Sequence, residues 1–432
     1  MSKPIFLALS VAFTALTSTM FAASATWSAT PTDSNWVTDN TETNWSTGVG
    51  TFPGSTSSTT NTDTATFAGA STILAITINS ATLNIKNITF SGSAEPAYTI
   101  GTTGGNSLLL TSGGAISILS STTGASIANT VNAPLVLEPA TATTAGTYSF
   151  SNTSGTASHP LVIGGTVQGG TTSQGIALTL TGSNPGANTV SGAISDGGAT
   201  LGLSVTKAST GTWTLSGPNT YSGGTTVSGG SLLINNTSGS GTGSGSVTVS
   251  SGSLFGTGSI TMTGTSRMTV ASGATFSPGS GSAVGTTPGT FSISGPATPA
   301  VGVSTLSLAS TSNYVLNIAS GSSFDVLNLT GTINVTGSNL VVNIAAGFEA
   351  AIGSAFLIVN NDGVDPVVGL FSQAAVVAAS NGQTFSISYT GNDGNDILLT
   401  TLTAIPEPST YVMVALGAAL LIAVRSARRK RA

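Results

Sequence analysis

The chain has 432 residues, with nine Lys and Arg against fourteen Asp and Glu, 56 Gly and no Cys. The lack of Cys excludes disulfides and thiolate metal sites, and a single histidine, His159, excludes a multi-histidine metal centre. Only 5% of residues are charged, against roughly 25% in a typical soluble domain, and between Thr26 and Ala404 the only basic residues are Lys86, Lys207 and Arg267, so nucleic-acid binding is excluded.

The chain opens MSKPIFLALSVAFTALTSTMFAASATWS. One Lys precedes an apolar run from Pro4 to Leu16, and Ala23-Ser24-Ala25 supplies small residues at cleavage spacing. This predicts a secretory signal peptide over 1–25, cut after Ala25, with the Sec translocon as partner. Trp27, Trp36 and Trp45 follow at nine-residue intervals. Flat aromatic rings there can stack on sugars as a glycan contact, or cover the open end of a stacked fold. The cover is the preferred reading.

Alternating apolar and polar residues from Thr62 onward, as in TDTATFAGASTILAITINSATLNIKNITF, predict a succession of short strands. His159 stands before Pro160 in a Ser-rich stretch. No G-x-S-x-G nucleophile elbow accompanies it, so it is read as an exposed or partly buried loop residue.

Three segments align without gaps: VSGGSLL from Val227, VSSGSLF from Val249 and VASGATF from Val270. Their spacings of 22 and 21 residues are those of stacked units rather than of a globular core. The fold class expected for 26–404 is therefore all-β, an elongated parallel β-solenoid. Equivalent residues of successive coils then lie about 4.8 Å apart. Like charges repel at that distance, whereas Thr and Ser ladders can hydrogen-bond, which accounts for the low charge.

Trp213 to Ile260 reads WTLSGPNTYSGGTTVSGGSLLINNTSGSGTGSGSVTVSSGSLFGTGSI. This stretch, 213–260, resembles the autotransporter-associated β-strand repeat through Leu-Ser-Gly-x-Asn-Thr-Tyr-x-Gly-Gly-Thr and the Gly-rich run after it. The resemblance implies a right-handed parallel β-helix.

The Gly, Ser and Pro of 274–303 predict a looser connection. Strand patterns resume in YVLNIAS and TINVTGSNLVVNIA, and FSISYTGNDGNDILLTTL is expected to close the stack, since solenoid ends need caps. GNDGNDILL is similar to one copy of the calcium-binding nonapeptide of β-roll proteins, making Asp393 and Asp396 the calcium candidates. That site type needs successive turns, so both are read as turn residues, as are Asp362 and Asp365 in NNDGVDP.

The chain closes IPEPSTYVMVALGAALLIAVRSARRKRA, from Ile405. An apolar run over 411–424 precedes Arg425, Arg428, Arg429, Lys430 and Arg431, which act as a membrane stop with the basic end inside. A single transmembrane helix is predicted there. With Pro406, Glu407, Pro408 and Ser409 before it, the segment 405–432 is similar to the PEP-CTERM sorting signal of Gram-negative bacteria. That resemblance implies recognition of Pro406, Glu407 and Pro408 by an exosortase-like enzyme in the inner membrane, then export to the cell surface or extracellular matrix. The 28 residues after Ala404 are too few for a translocator barrel, so the sorting tail is expected to replace one.

The functional expectation is a non-catalytic exported structural protein or adhesin, without cofactor, with extracellular polysaccharide as a candidate partner. The alternative is a polysaccharide lyase or hydrolase on the same scaffold. It would need paired carboxylates near Lys86, Lys207 or Arg267, and the acids show no such pairing in sequence.

Overall fold

Strands form here because apolar side chains recur at every second position. Ile176–Gly182 reads IALTLTG, and its residues alternate between buried and half-exposed. One face therefore enters the core and the other carries Ala177, Thr179 and Thr181 outward. The structure is a computed structural model that describes residues 23–403, except 40, 59, 93–95, 120–126, 282–286 and 297–302. The predicted signal peptide before residue 23 and the segment 404–432, with its predicted membrane helix, lie outside the described residues. Among the described residues there is no helix, and so none that could cross a membrane.

The strands stack as a parallel β-solenoid. The main path of one sheet runs in chain order from Ala25–Thr26 through Leu83–Phe90, Ile176–Gly182 and Thr225–Val227 to Val367–Val368. A second sheet of 11 strands runs alongside, from Ala75–Ile76 to Asn339–Ile344, again in chain order. A third sheet of 7 strands serves the C-terminal half. Its first four strands pair in parallel, and then the hairpin Thr384–Gly391 and Asp396–Thr401 adds antiparallel strands. The reversal ends parallel stacking in that sheet.

The three repeats stack as their spacing predicts. Val227 pairs with Val249, and Val249 with Val270. The gapless alignment fails beyond the turn of the third copy. It sets Phe276 beside Phe255, whereas Phe276 lies opposite Leu254. The turn after Val270 is one residue longer, and the reason is parity. A slip of one residue would turn Phe276 away from the core, where it is fully buried.

The stretch 274–303 is also not a mere connection. It contains the strands Thr275–Pro278 and Thr290–Ser294. Phe276 and Phe291 are buried within it, with ring centroids 5.5 Å apart. Two aromatic side chains in nine strand positions outweigh the loop-forming bias of the Gly, Ser and Pro around them.

Gly230, Gly252 and Gly273 hold the corners of the three repeats, with φ of 61°, 76° and 76°. An added Cβ at Gly252 would stand 2.4 Å from the Gly230 carbonyl of the preceding coil, whereas at Gly273 it would meet nothing within 4 Å. Gly273→Ala thus carries only the left-handed backbone penalty, about 1–2 kcal/mol. Gly252→Ala should destabilise by more, because it also forces two coils apart. Chemical denaturation of both variants beside the parent chain checks that order.

Candidate functional site

The N-terminal tryptophans converge on Phe67. The Trp27 and Trp45 ring centroids are 5.0 Å apart, as are those of Trp36 and Trp45, and Phe67 lies within 6.1 Å of all three. Phe90 and Tyr98 extend the cluster inward from Phe67. The indole N–H of Trp27 donates to the Ile73 carbonyl, that of Trp36 to Pro53 and that of Trp45 to Trp36. Trp27, Trp36 and Trp45 are at most 2% exposed. No indole face is open to a sugar ring, so the glycan-contact expectation for these three residues is corrected: they cover the first coils. Asn44 pins the loop above them, accepting the N–H groups of Thr32 and Asp33 and donating to the Asn35 carbonyl.

Ala25, the predicted cleavage residue, is buried and pairs with Ala65 in the first strand. A cut directly after it would leave Thr26, opposite Thr66, as the start of the ladder.

Lys207 was not expected in the core. It occupies an otherwise apolar column with Leu180 on one side and Val227, Val249, Val270 and Leu308 on the other. Its ammonium donates to the carbonyls of Ala208, Ser209 and Gly229 at 2.7, 2.9 and 3.0 Å. Desolvation lowers its pKa to about 8. The contacts fasten the amine to a corner of the coil, and none of them comes from a carboxylate.

His159 lies in a loop, as expected, but is 1% exposed, which corrects the expectation that it would be exposed or partly buried. Its carbonyl accepts from the buried Asn152 amide, which holds the turn inside. The ring Nδ1 has no hydrogen-bond partner among the described residues, so no carboxylate orients it as a Ser-His-Asp triad requires.

Arg267 lines an open groove of about 300 Å³ with Thr269, Val303, Ser304, Ser307 and Asn334. None of these can act as a general acid. Among the described residues, no three His, Cys, Asp or Glu side chains come together to hold a metal.

Asp325 is a buried carboxyl with a strongly raised pKa. It accepts the N–H of Gly289 on one oxygen and the backbone and side-chain N–H groups of Asn317 on the other. Burial raises its pKa to about 7, against those three donors. Asn343 in turn donates to the Asn317 side-chain oxygen, so the carboxyl joins adjoining coils. Nothing in the sequence marks this acid, since its neighbours in the chain are ordinary strand residues.

Asp362 and Asp365 were read as turn residues in one loop, Asp393 and Asp396 in another. The fold sets the two loops side by side. Asp393 is exposed, whereas Asp396 is buried and accepts the Asn361 backbone N–H at 2.8 Å. The sorting residues Pro406, Glu407 and Pro408, and the basic Arg425, Arg428, Arg429, Lys430 and Arg431, lie outside the described residues.

Five residues of the LSGPNTYSGGT segment, Leu215, Gly217, Asn219, Tyr221 and Thr225, have packing roles. Leu215 and Tyr221 are fully buried, and the Tyr221 hydroxyl is 2.6 Å from that of Thr225. Asn219 accepts the Ile194 N–H from the preceding coil and donates to Gly241 in the next. Gly217 lies so close to Gly192 that a Cβ would stand 2.6 Å from its carbonyl oxygen. Residues 205–234 match the family model of the passenger-associated transport repeat. In the structure that segment is one coil and the start of the next: Val205 pairs with Thr225 and Leu215 with Ile234. No curated protein matches the chain.

Two outcomes follow from these sites. Trp36→Ala should lower stability by about 3–5 kcal/mol in denaturant titration, with polysaccharide co-sedimentation unchanged wherever the variant is folded. Asp325 has a folded-state pKa above its unfolded value of 3.8. Its contribution is therefore full below about pH 4 and is lost as pH rises toward about 7. Asp325→Asn should flatten that part of the stability–pH curve, measured by denaturation at pH 4.5 and 7.5.

Proposed function

We propose that this chain is an exported, non-catalytic structural protein of the cell surface or extracellular matrix, a right-handed β-helical rod with a low-charge face toward extracellular polymer. The observation that carries this reading is a single outward column of Thr206, Thr226, Thr248, Thr269 and Ser307, in register through five coils. All five are half-exposed. Such a column offers hydroxyl donors and acceptors at a spacing of about 4.8 Å, with Arg267 the one charged side chain lining the groove beside Thr269 and Ser307. Neutral hydroxyl polymers are the matching chemistry, since they too present hydroxyl donors and acceptors.

Export is supported by the passenger-associated repeat at 205–234 and by the signal-peptide pattern ahead of Ala25. Retention is assigned to the tail. Transfer by the Sec translocon, arrest at Arg425–Arg431 and recognition of Pro406-Glu407-Pro408 by an exosortase-like enzyme form one sequence of events. Anchoring in the inner membrane would then precede release to the surface. A polysaccharide-active enzyme would need facing acids, and the Arg267 groove supplies none.

Mass spectrometry of the mature protein from its native producer tests the processing. The expected product begins near Thr26 and lacks Arg425–Arg431. An intact basic tail would reject sorting-coupled cleavage and leave a simple membrane anchor.

A further inference from the structure

Three buried side-chain oxygens without a partner among the described residues belong to the loop 361–365 and the hairpin turn 391–396, which hydrogen bonds tie together. They are Oδ1 of Asn361, Oδ1 of Asn395 and Oδ2 of Asp396. Their residues are 1%, 7% and 0% exposed. They belong to one cluster. The other Asp396 oxygen accepts the Asn361 backbone N–H at 2.8 Å. The amide groups of Asn361 and Asn395 both donate to the Asp365 carbonyl, at 2.6 and 3.1 Å. Asn395 also donates to the carbonyls of Asp362 and Gly363. Both amides thus spend their N–H groups on the loop backbone, while their oxygens and the second Asp396 oxygen have no partner among the described residues.

A buried polar atom without a partner is costly, and three in one place call for a shared partner. That partner must accept electron pairs from oxygen. Neither loop contains a Lys or Arg, while Asp362, Asp365, Asp393 and Asp396 are all within them. The local charge therefore favours a cation. Carboxylate and amide oxygens are hard ligands, and a site built on two loops can adapt its geometry; both suit calcium better than magnesium or a transition metal.

We infer that Asn361, Asn395 and Asp396 form a calcium site that fastens the C-terminal antiparallel hairpin to the last parallel strand of its sheet. Asp396 opens the strand Asp396–Thr401, and Asn361 ends Ala355–Asn361, with which that strand pairs antiparallel. The ion therefore sits where parallel stacking gives way to the cap. This differs from a nonapeptide site, whose ligands come from successive turns of one repeat. Here the exposed Asp393 is not a ligand. One carboxylate among neutral donors suits the weak range of extracellular calcium modules, Kd of about 10⁻⁴–10⁻³ M.

The test is calorimetric titration of the full chain, stripped with chelator, with calcium chloride and separately with magnesium chloride. Saturable binding of one calcium in that range is expected, with at least tenfold weaker magnesium binding and a calcium-dependent rise in melting temperature. Asp396→Asn keeps the shape and the accepted N–H but removes the charge, and should weaken calcium binding at least tenfold. Asp393→Asn should stay within twofold of the parent. Absence of saturable calcium binding up to about 10 mM by the parent chain would overturn the inference and leave buried water as the partner. Unchanged calcium affinity in Asp396→Asn, or loss of binding in Asp393→Asn alone, would equally overturn this site.

Discussion

Register between neighbouring coils is the constraint on which the rest of this molecule depends. Each strand must give its backbone donors and acceptors to the coil before and the coil after, so every position in a column inherits its neighbours' environment. A side chain is therefore chosen for a line of contacts rather than for one. The column Val227, Val249, Val270 and Leu308 stays apolar for that reason. Thr248 and Thr269 in the outward column place their hydroxyls 3.5 Å apart without any charge between them. Lys207 tests the rule from within. It stands in the apolar column only because its amine reaches three corner carbonyls and its stem fills the space of the missing aliphatic side chain.

Corners absorb the variation that columns forbid. The turn after Val270 gains a residue, and Phe276 still faces inward. Longer insertions do the same on a larger scale. Val247 pairs with Met268, but Met268 pairs with Leu306, and the additional chain carries a strand of the third sheet. Asn residues hold these irregular places. Asn188 accepts the Leu161 N–H and the Asn152 amide, and donates to the Thr212 carbonyl. One side chain thus satisfies backbone groups that the ladder leaves over.

The two ends solve one problem with different materials. A stack of parallel strands exposes its hydrophobic interior and an unpaired ladder wherever it stops. At the N-terminal end three indoles around Phe67 fill the opening, and each ring N–H is used by a nearby carbonyl. At the other end the third sheet reverses direction through Asp396–Thr401 and Thr384–Gly391. The reversal brings two Asp- and Asn-rich loops together, in a part of the molecule where column matching no longer restricts charge.

Much of the fold was legible because stacking writes a period into the chain. The spacing of Val227, Val249 and Val270 specified which residues lie above one another, and the low charge specified that something stacks. The closing role of the last strands was legible too, from their place in the order. The sequence could not decide matters that depend on contacts between distant coils. It left the tryptophans with two roles, because a ring's exposure is set by Phe67 and its neighbours rather than by the nine-residue spacing. It suggested an exposed or partly buried loop position for His159, which the Asn152 contact holds fully inside. It presented NNDGVDP and GNDGNDILL as separate turns about thirty residues apart. Periodicity is a property of near neighbours along the chain, so the alternating strands and the stacking of the three repeats were determined by sequence alone, whereas the strands within 274–303 and the longer corner after Val270 were not. The tertiary structure decided which loops meet and which polar atoms are left without partners, because those depend on how many residues each coil inserts before returning to the ladder.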